Sequence, residues 1–168
     1  IELDPTWKQS SPLAGIHGMQ AARSMALLSY RHYKTYDAFQ SDEEDDALEN
    51  FKAASYQHYQ GEKLAKRFNA FSYYALSLSM DSHHVGRERN GAARALKNIT
   101  AAALVIGLQS DILFPLSEQE YLAAHIPTAT LTIIDSMYGH DGFLLEFEAI
   151  GSAIKNFIPT LNKVTAQA

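Results

Sequence analysis

The sequence predicts an α/β fold of which it supplies the C-terminal part: a helical region, then two parallel strands, each followed by a helix. Three observations predict it. Residues 11–97 carry helical periodicity without a convincing strand. From residue 99, two short apolar runs rich in β-formers alternate with helical segments. The turns after those runs hold a carboxylate and a histidine. Strand, helix, strand, helix in this order implies parallel pairing with a right-handed crossover. Two strands do not make a stable parallel sheet alone, because such sheets are covered on both faces and contain more strands. The opening Ile1-Glu2-Leu3-Asp4-Pro5 looks extended and lacks methionine, so the chain reads as a larger protein entered partway through a strand.

The divisions expected are 1–10 for the end of a core strand and linker, 11–98 for the helical region, 99–160 for the last part of the core, and 161–168 for a tail. Ser10, Ser11 and Pro12 suit a helix start, with a serine cap and a proline in the first turn. Met19, Arg23, Met25, Ala26, Leu27 and Tyr30 then form one stripe at spacings of three and four. The acidic run Ser41–Asp46 reads as a solvated loop leading into the next helix, since carboxylates are favoured at helix N-termini. It lacks the spacing of a calcium loop. A further helix holds Phe51, Ala54, Tyr56, Tyr59, Leu64 and Phe68, with an interruption near Gly61, and another covers Phe71 to Met80. Asp81 to Gly91 is a polar connection.

In the last third, Ala101 to Leu108 is a continuous apolar run suited to a strand buried on both faces. Ser117 to Ala124 is helical, with Ser117 and Glu120 spaced as a capping box. Ala129 to Ile134 is rich in β-branched residues. Phe143 to Phe157 is a closing amphipathic helix with Leu144, Phe147, Ile150, Ile154 and Phe157 inward, and the chain after Pro159 frays.

Composition narrows the class. A net charge of -5 argues against a nucleic-acid partner, which asks for a basic face. No apolar run reaches the roughly 20 residues that span a bilayer. Without cysteine there is no thiol chemistry and no need of an oxidising compartment, so a cytoplasmic protein is expected.

Asp111 follows the first apolar strand and His140 follows the second, within Tyr138-Gly139-His140-Asp141. An aspartate there is commonly a turn or cap residue, and a loop histidine commonly a surface one. Together they fit two members of a catalytic triad, because adjacent parallel strands bring their carboxyl ends close. The order acid then base also matches the serine, aspartate, histidine order of one triad architecture. No G-x-S-x-G elbow occurs in the 168 residues, so the nucleophile is expected upstream. His32, His58, His83, His84 and His125 lack the spacing of a zinc site, and no metal is expected. The tyrosines suit helix–helix contacts or an aromatic subunit interface. Arg23, among Ala22, Met25, Ala26 and Leu27, is either a snorkelling surface arginine or a fork for a substrate carboxylate. At this level an esterase-type hydrolase, and a noncatalytic helical interaction module with a vestigial Asp–His pair, stay open beside an acyltransferase.

Several segments resemble homoserine O-acetyltransferases: Ala22-Arg23-Ser24-Met25 through Tyr30-Arg31, Tyr59-Gln60-Gly61-Glu62-Lys63, Arg67-Phe68, Ser110-Asp111-Ile112-Leu113-Phe114-Pro115, and Asp135 through Leu144. The resemblance covers nearly the whole chain. It implies an α/β-hydrolase fold whose helical region is a lid, commonly also the homodimer contact. It implies Asp111 and His140 as triad acid and base, Asp141 at the amine and hydroxyl end of L-homoserine, and Arg23 near its carboxylate. The implied reaction is ping-pong, with acetyl-CoA as co-substrate and no bound cofactor. Its serine would belong to a missing N-terminal half, leaving this chain inactive alone. Asn69 and Phe71 depart from the family's Asp and Asn, and Ala102 from its proline. Succinyl donors and serine acceptors also occur among its members.

Overall fold

Consecutive turns, not a strand, occupy the opening residues of the chain. In the computed structural model, which describes residues 1–43 and 48–165 and side chains to 158, Asp4 N–H donates to the Ile1 carbonyl at 2.9 Å and Trp7 N–H to that of Asp4 at 2.9 Å. A strand needs a neighbour to pair its backbone groups; these residues satisfy theirs locally instead. Ser10, Ser11 and Pro12 lie in the same run of turns, and the first helix, α1 (Ile16–Tyr30), starts later. Asp4 is its effective cap, because Asp4 Oδ2 accepts from Gly18 N–H in the first helical turn at 2.7 Å.

Two compact units divide the chain. The first comprises Ile1–Ser29 with Tyr33–His83, the second Tyr30–His32 with the chain from His84 onward. The first is helical: most of α1, then α2 (Tyr33–Gln40), α3 (Lys52–Ala65) and α4 (Ala70–Asp81). Its core is Met19, Leu64 and Ala70, flanked by Trp7, Ile16 and Tyr73. Trp7 stacks on Phe71 at 4.7 Å between ring centres. The expected stripe on α1 is only partly buried: Met19 and Leu27 face inward, but Met25 is exposed. Gly61 does not interrupt α3. A Cβ there would lie 2.8 Å from the Gln20 carbonyl oxygen, so glycine is what lets α1 and α3 approach. Of the acidic run, 44–46 lie outside the described residues; Asp42 Oδ1 accepts from Lys52 N–H at 2.9 Å, capping α3 as a carboxylate leading into a helix should. Asn69 caps α4 by accepting from Ser72 N–H at 2.8 Å, so one departure from the family pattern keeps an N-cap residue type.

The second unit is built on strands β1 (Ala103–Leu108) and β2 (Ala129–Ile134), paired in parallel from Ala103 opposite Ala129 to Leu108 opposite Ile134. Helices α5 (Ala92–Lys97), α6 (Leu116–His125), α7 (Gly142–Leu145) and α8 (Phe147–Thr165) accompany them. Buried Leu96, Val105, Leu108, Ile126 and Ile134 form its interior. The capping box at Ser117 does not form. The helix begins one residue earlier, with extended Pro115 at its cap and the Glu118 N–H turned to the Pro115 carbonyl. The closing helix is broken at Glu146, where ψ reaches 43°, and then continues past Pro159 to Thr165. Its expected inner face is open at three positions, with Leu144 64% exposed, Phe147 72% and Ile154 44%, while Ile150 and Phe157 are partly buried. No helix among the described residues is long and apolar enough to cross a membrane.

Candidate active site

The register of β1 and β2 places the two chain segments that follow them side by side. Gln109 N–H still donates to the Ile134 carbonyl at 2.9 Å, one step past the last strand pair. The chain then turns, with Asp111 N–H bonded to the Leu108 carbonyl at 3.1 Å. On the other strand, a single 3-10 turn (Gly139–Asp141) carries His140. Gly139 adopts φ +65°, and its N–H donates to Ser110 Oγ at 3.0 Å, tying the two turns together. A Cβ at Gly139 would lie 2.6 Å from the backbone nitrogen of His32, so only glycine fits both the torsion and the space.

Asp111 combines the two roles the sequence left open. Its Oδ1 accepts from Leu113 N–H at 2.8 Å and Phe114 N–H at 2.9 Å, closing the turn. Its Oδ2 lies 2.9 Å from His140 Nδ1. An ionised carboxylate only accepts, so this contact sets the Nδ1–H tautomer and leaves Nε2 as the ring's basic nitrogen. The Asp111 side chain is 7% exposed and that of His140 22%. With both oxygens engaged and the carboxylate buried, the imidazole is held in one orientation. Three aromatic rings limit it further: Phe114 at 5.1 Å, Phe143 at 5.2 Å and Tyr30 at 5.8 Å between centres. Such an arrangement has the geometry to accept a proton from a hydroxyl and return it to a leaving group.

Asp141, next along the turn, receives Arg31 Nε on its Oδ2 at 3.0 Å, with both side chains about one-fifth exposed. The structure therefore groups Asp111, His140 and Asp141 in the second unit. Arg23 stands on α1 in the first unit, partly buried. The cation that meets Asp141 is Arg31. Sequence reasoning gave Arg31, Phe114 and Phe143 no role at the site and Tyr30 only a packing one, although all four lie inside the segments singled out above. Their positions at the ends of those segments were the available signal. His125 bonds the Tyr121 carbonyl through Nδ1 at 2.8 Å, a structural role. Among the described residues no three His, Asp or Glu side chains are grouped to hold a metal.

No family model matches the chain. It is 47% identical over 157 residues to the homoserine O-acetyltransferase of Cyclobacterium marinum, a match spanning 94% of this chain and 44% of that protein. The homoserine O-acetyltransferase of Salinibacter ruber is 39% identical over 163 residues, spanning 94% and 46%. Among solved structures, the homoserine O-acetyltransferase of Bacillus anthracis matches with a TM-score of 0.81 at 18% identity, over 94% of this chain and 45% of that one. Esterase E22 matches with a TM-score of 0.76 at 18% identity, over 94% and 47%. Likeness at that identity shows the fold, here the C-terminal part of an α/β-hydrolase. The chain spans less than half the length of these relatives.

Proposed function

The chain is a homologue of part of the homoserine O-acetyltransferases, and on that premise we propose that it carries the acid and base of an enzyme moving acetyl from acetyl-CoA to the hydroxyl of L-homoserine. The hydrogen bond of 2.9 Å between Asp111 Oδ2 and His140 Nδ1 carries this reading. A serine supplied from outside these 168 residues attacks the thioester carbonyl while His140 Nε2 takes its proton. The tetrahedral intermediate collapses, His140 protonates the departing thiolate, and an acetyl-serine ester remains. In the second half, His140 takes the proton of the homoserine hydroxyl as that oxygen attacks the ester, then returns it to the serine. Asp141 meets the acceptor's ammonium and Arg23 its carboxylate. Acetyl-CoA is a co-substrate in this scheme and no resident cofactor is called for. The helical region acts as lid and homodimer contact.

The test is thiol release from acetyl-CoA in the full-length protein, with and without L-homoserine. Unmodified protein is expected to turn over only when homoserine is present. Asp111→Asn should lower kcat by about 10⁴-fold and His140→Ala by about 10⁴- to 10⁶-fold, as loss of the tautomer or of the base does. Thiol release that does not depend on homoserine would identify a hydrolase instead, with water as acceptor. Full activity in His140→Ala would remove the acid–base assignment.

A further inference from the structure

The Arg31–Asp141 pair has no counterpart in the triad scheme, yet it sits on the residue next to the base. Three observations converge on it. Arg31 Nε donates to Asp141 Oδ2 at 3.0 Å. Side chains 23% and 20% exposed are shielded enough for a charge-assisted bond to hold its geometry. The segment Tyr30–His32 also belongs to the same compact unit as the base. Its backbone passes so close to Gly139 that a Cβ would meet His32 N and the Arg31 carbonyl carbon at 2.6 and 3.0 Å. The fork that grips Asp141 is thus anchored by backbone packing against the same turn that carries His140.

We propose that Arg31 is a positioning residue: by occupying Asp141 Oδ2 it fixes that carboxylate beside His140 and presents Oδ1 to the ammonium group of an amino-acid acceptor. This deepens the reading of Asp141 given above and rests on it. The bond to Arg31 engages Asp141 Oδ2, which leaves Oδ1 as the oxygen to meet a ligand. A carboxylate on its own rotates between rotamers. Held by a planar guanidinium, it keeps one. Arg31 thereby acts on the acceptor half of the reaction and not on acyl transfer from the thioester, in which no ammonium needs placing.

The experiment uses the full-length protein with Arg31→Gln and the milder Arg31→Lys, which keeps the charge but lacks the planar fork. Three quantities are read: the burst of thiol released from acetyl-CoA without acceptor, kcat/KM for L-homoserine, and kcat/KM for its deaminated analogue γ-hydroxybutyrate. Both variants should keep the burst. Arg31→Gln should lose about 10- to 100-fold in kcat/KM for homoserine, the range expected of a lost hydrogen bond to a charged group, with Arg31→Lys in between. Neither variant should change kcat/KM for the analogue, which has no ammonium to place. Equal losses for homoserine and the analogue, or a burst that falls in step, mean a merely structural arginine and overturn the inference. Unchanged homoserine kinetics in Arg31→Gln overturn it as well, while the function proposed above stands. If the unmodified protein shows no homoserine-dependent turnover, that function fails and this inference falls with it.

Discussion

Gly139 is the residue on which the placement of His140 depends most directly. Its φ of +65° turns the chain after β2 so that the next residue, His140, meets Asp111, and its missing side chain admits the backbone of His32. Gly139→Ala should therefore fail twice over. The left-handed torsion costs an alanine about 1–3 kcal/mol, and the added carbon must displace either its own turn or the Arg31–His32 backbone. A displacement of about 1 Å at the base is enough to lower turnover about 10²-fold. Urea denaturation and thiol release on the same full-length variant would measure the two effects separately. Wild-type turnover in Gly139→Ala would show that the turn is not what aims the ring. At this scale Asp111 and His140 were legible, because each sits at a strand end within a short recognisable segment. Arg31 was not. It meets Asp141 across 110 residues, and no local spacing encodes a contact of that separation.

Helices and strands were read best where the pattern is local and dense. β2 occupies the run predicted for it, and β1 starts two residues inside its run. Helix starts were read less well, since caps need not be neighbours in sequence. Asp4 lies well before α1 yet supplies its capping oxygen, and Asp42 does the same for α3 from ten residues before Lys52. The Asp4 carboxyl is held down from 3.8 to about 2, first by the Thr6 hydroxyl and then by the Thr6 and Gly18 N–H groups. Because the folded value is the lower one, the stability it lends is fully present above 3.8 and is lost as pH falls through about 2. Asp4→Ala should therefore melt below the unmodified protein at neutral pH, and the gap in Tm should close as pH falls across that window. A gap independent of pH would mean that the carboxylate contributes nothing by being charged. Glu146, where the closing helix breaks, carries no glycine or proline signal, and its break was not foreseeable from periodicity.

For the whole molecule, periodicity told which residues of the closing helix share a face but not what covers it. Phe143, Leu144 and Phe147 lie on the unit that holds the acid and base, and each is more than half exposed. Under the function proposed here the rest of the protein would cover these side chains. The 168 residues alone should then bind a hydrophobic dye and release no thiol from acetyl-CoA. Co-expression with the remaining segment should suppress the dye signal and restore homoserine-dependent release. Turnover by the chain alone would refute an external nucleophile. The parallel register of β1 and β2 bears on how such an assembly would behave in thermal motion. Asp111 and His140 follow the same end of two strands paired along their whole length, with Ser110 Oγ accepting from Gly139 N–H between them. Two strands paired over six residues, with a bond across their turns, oppose a change in the separation of these two side chains. Under the function proposed here, a nucleophile on another element has no such clamp to this pair, so its distance from His140 Nε2 is where heat would first loosen the site.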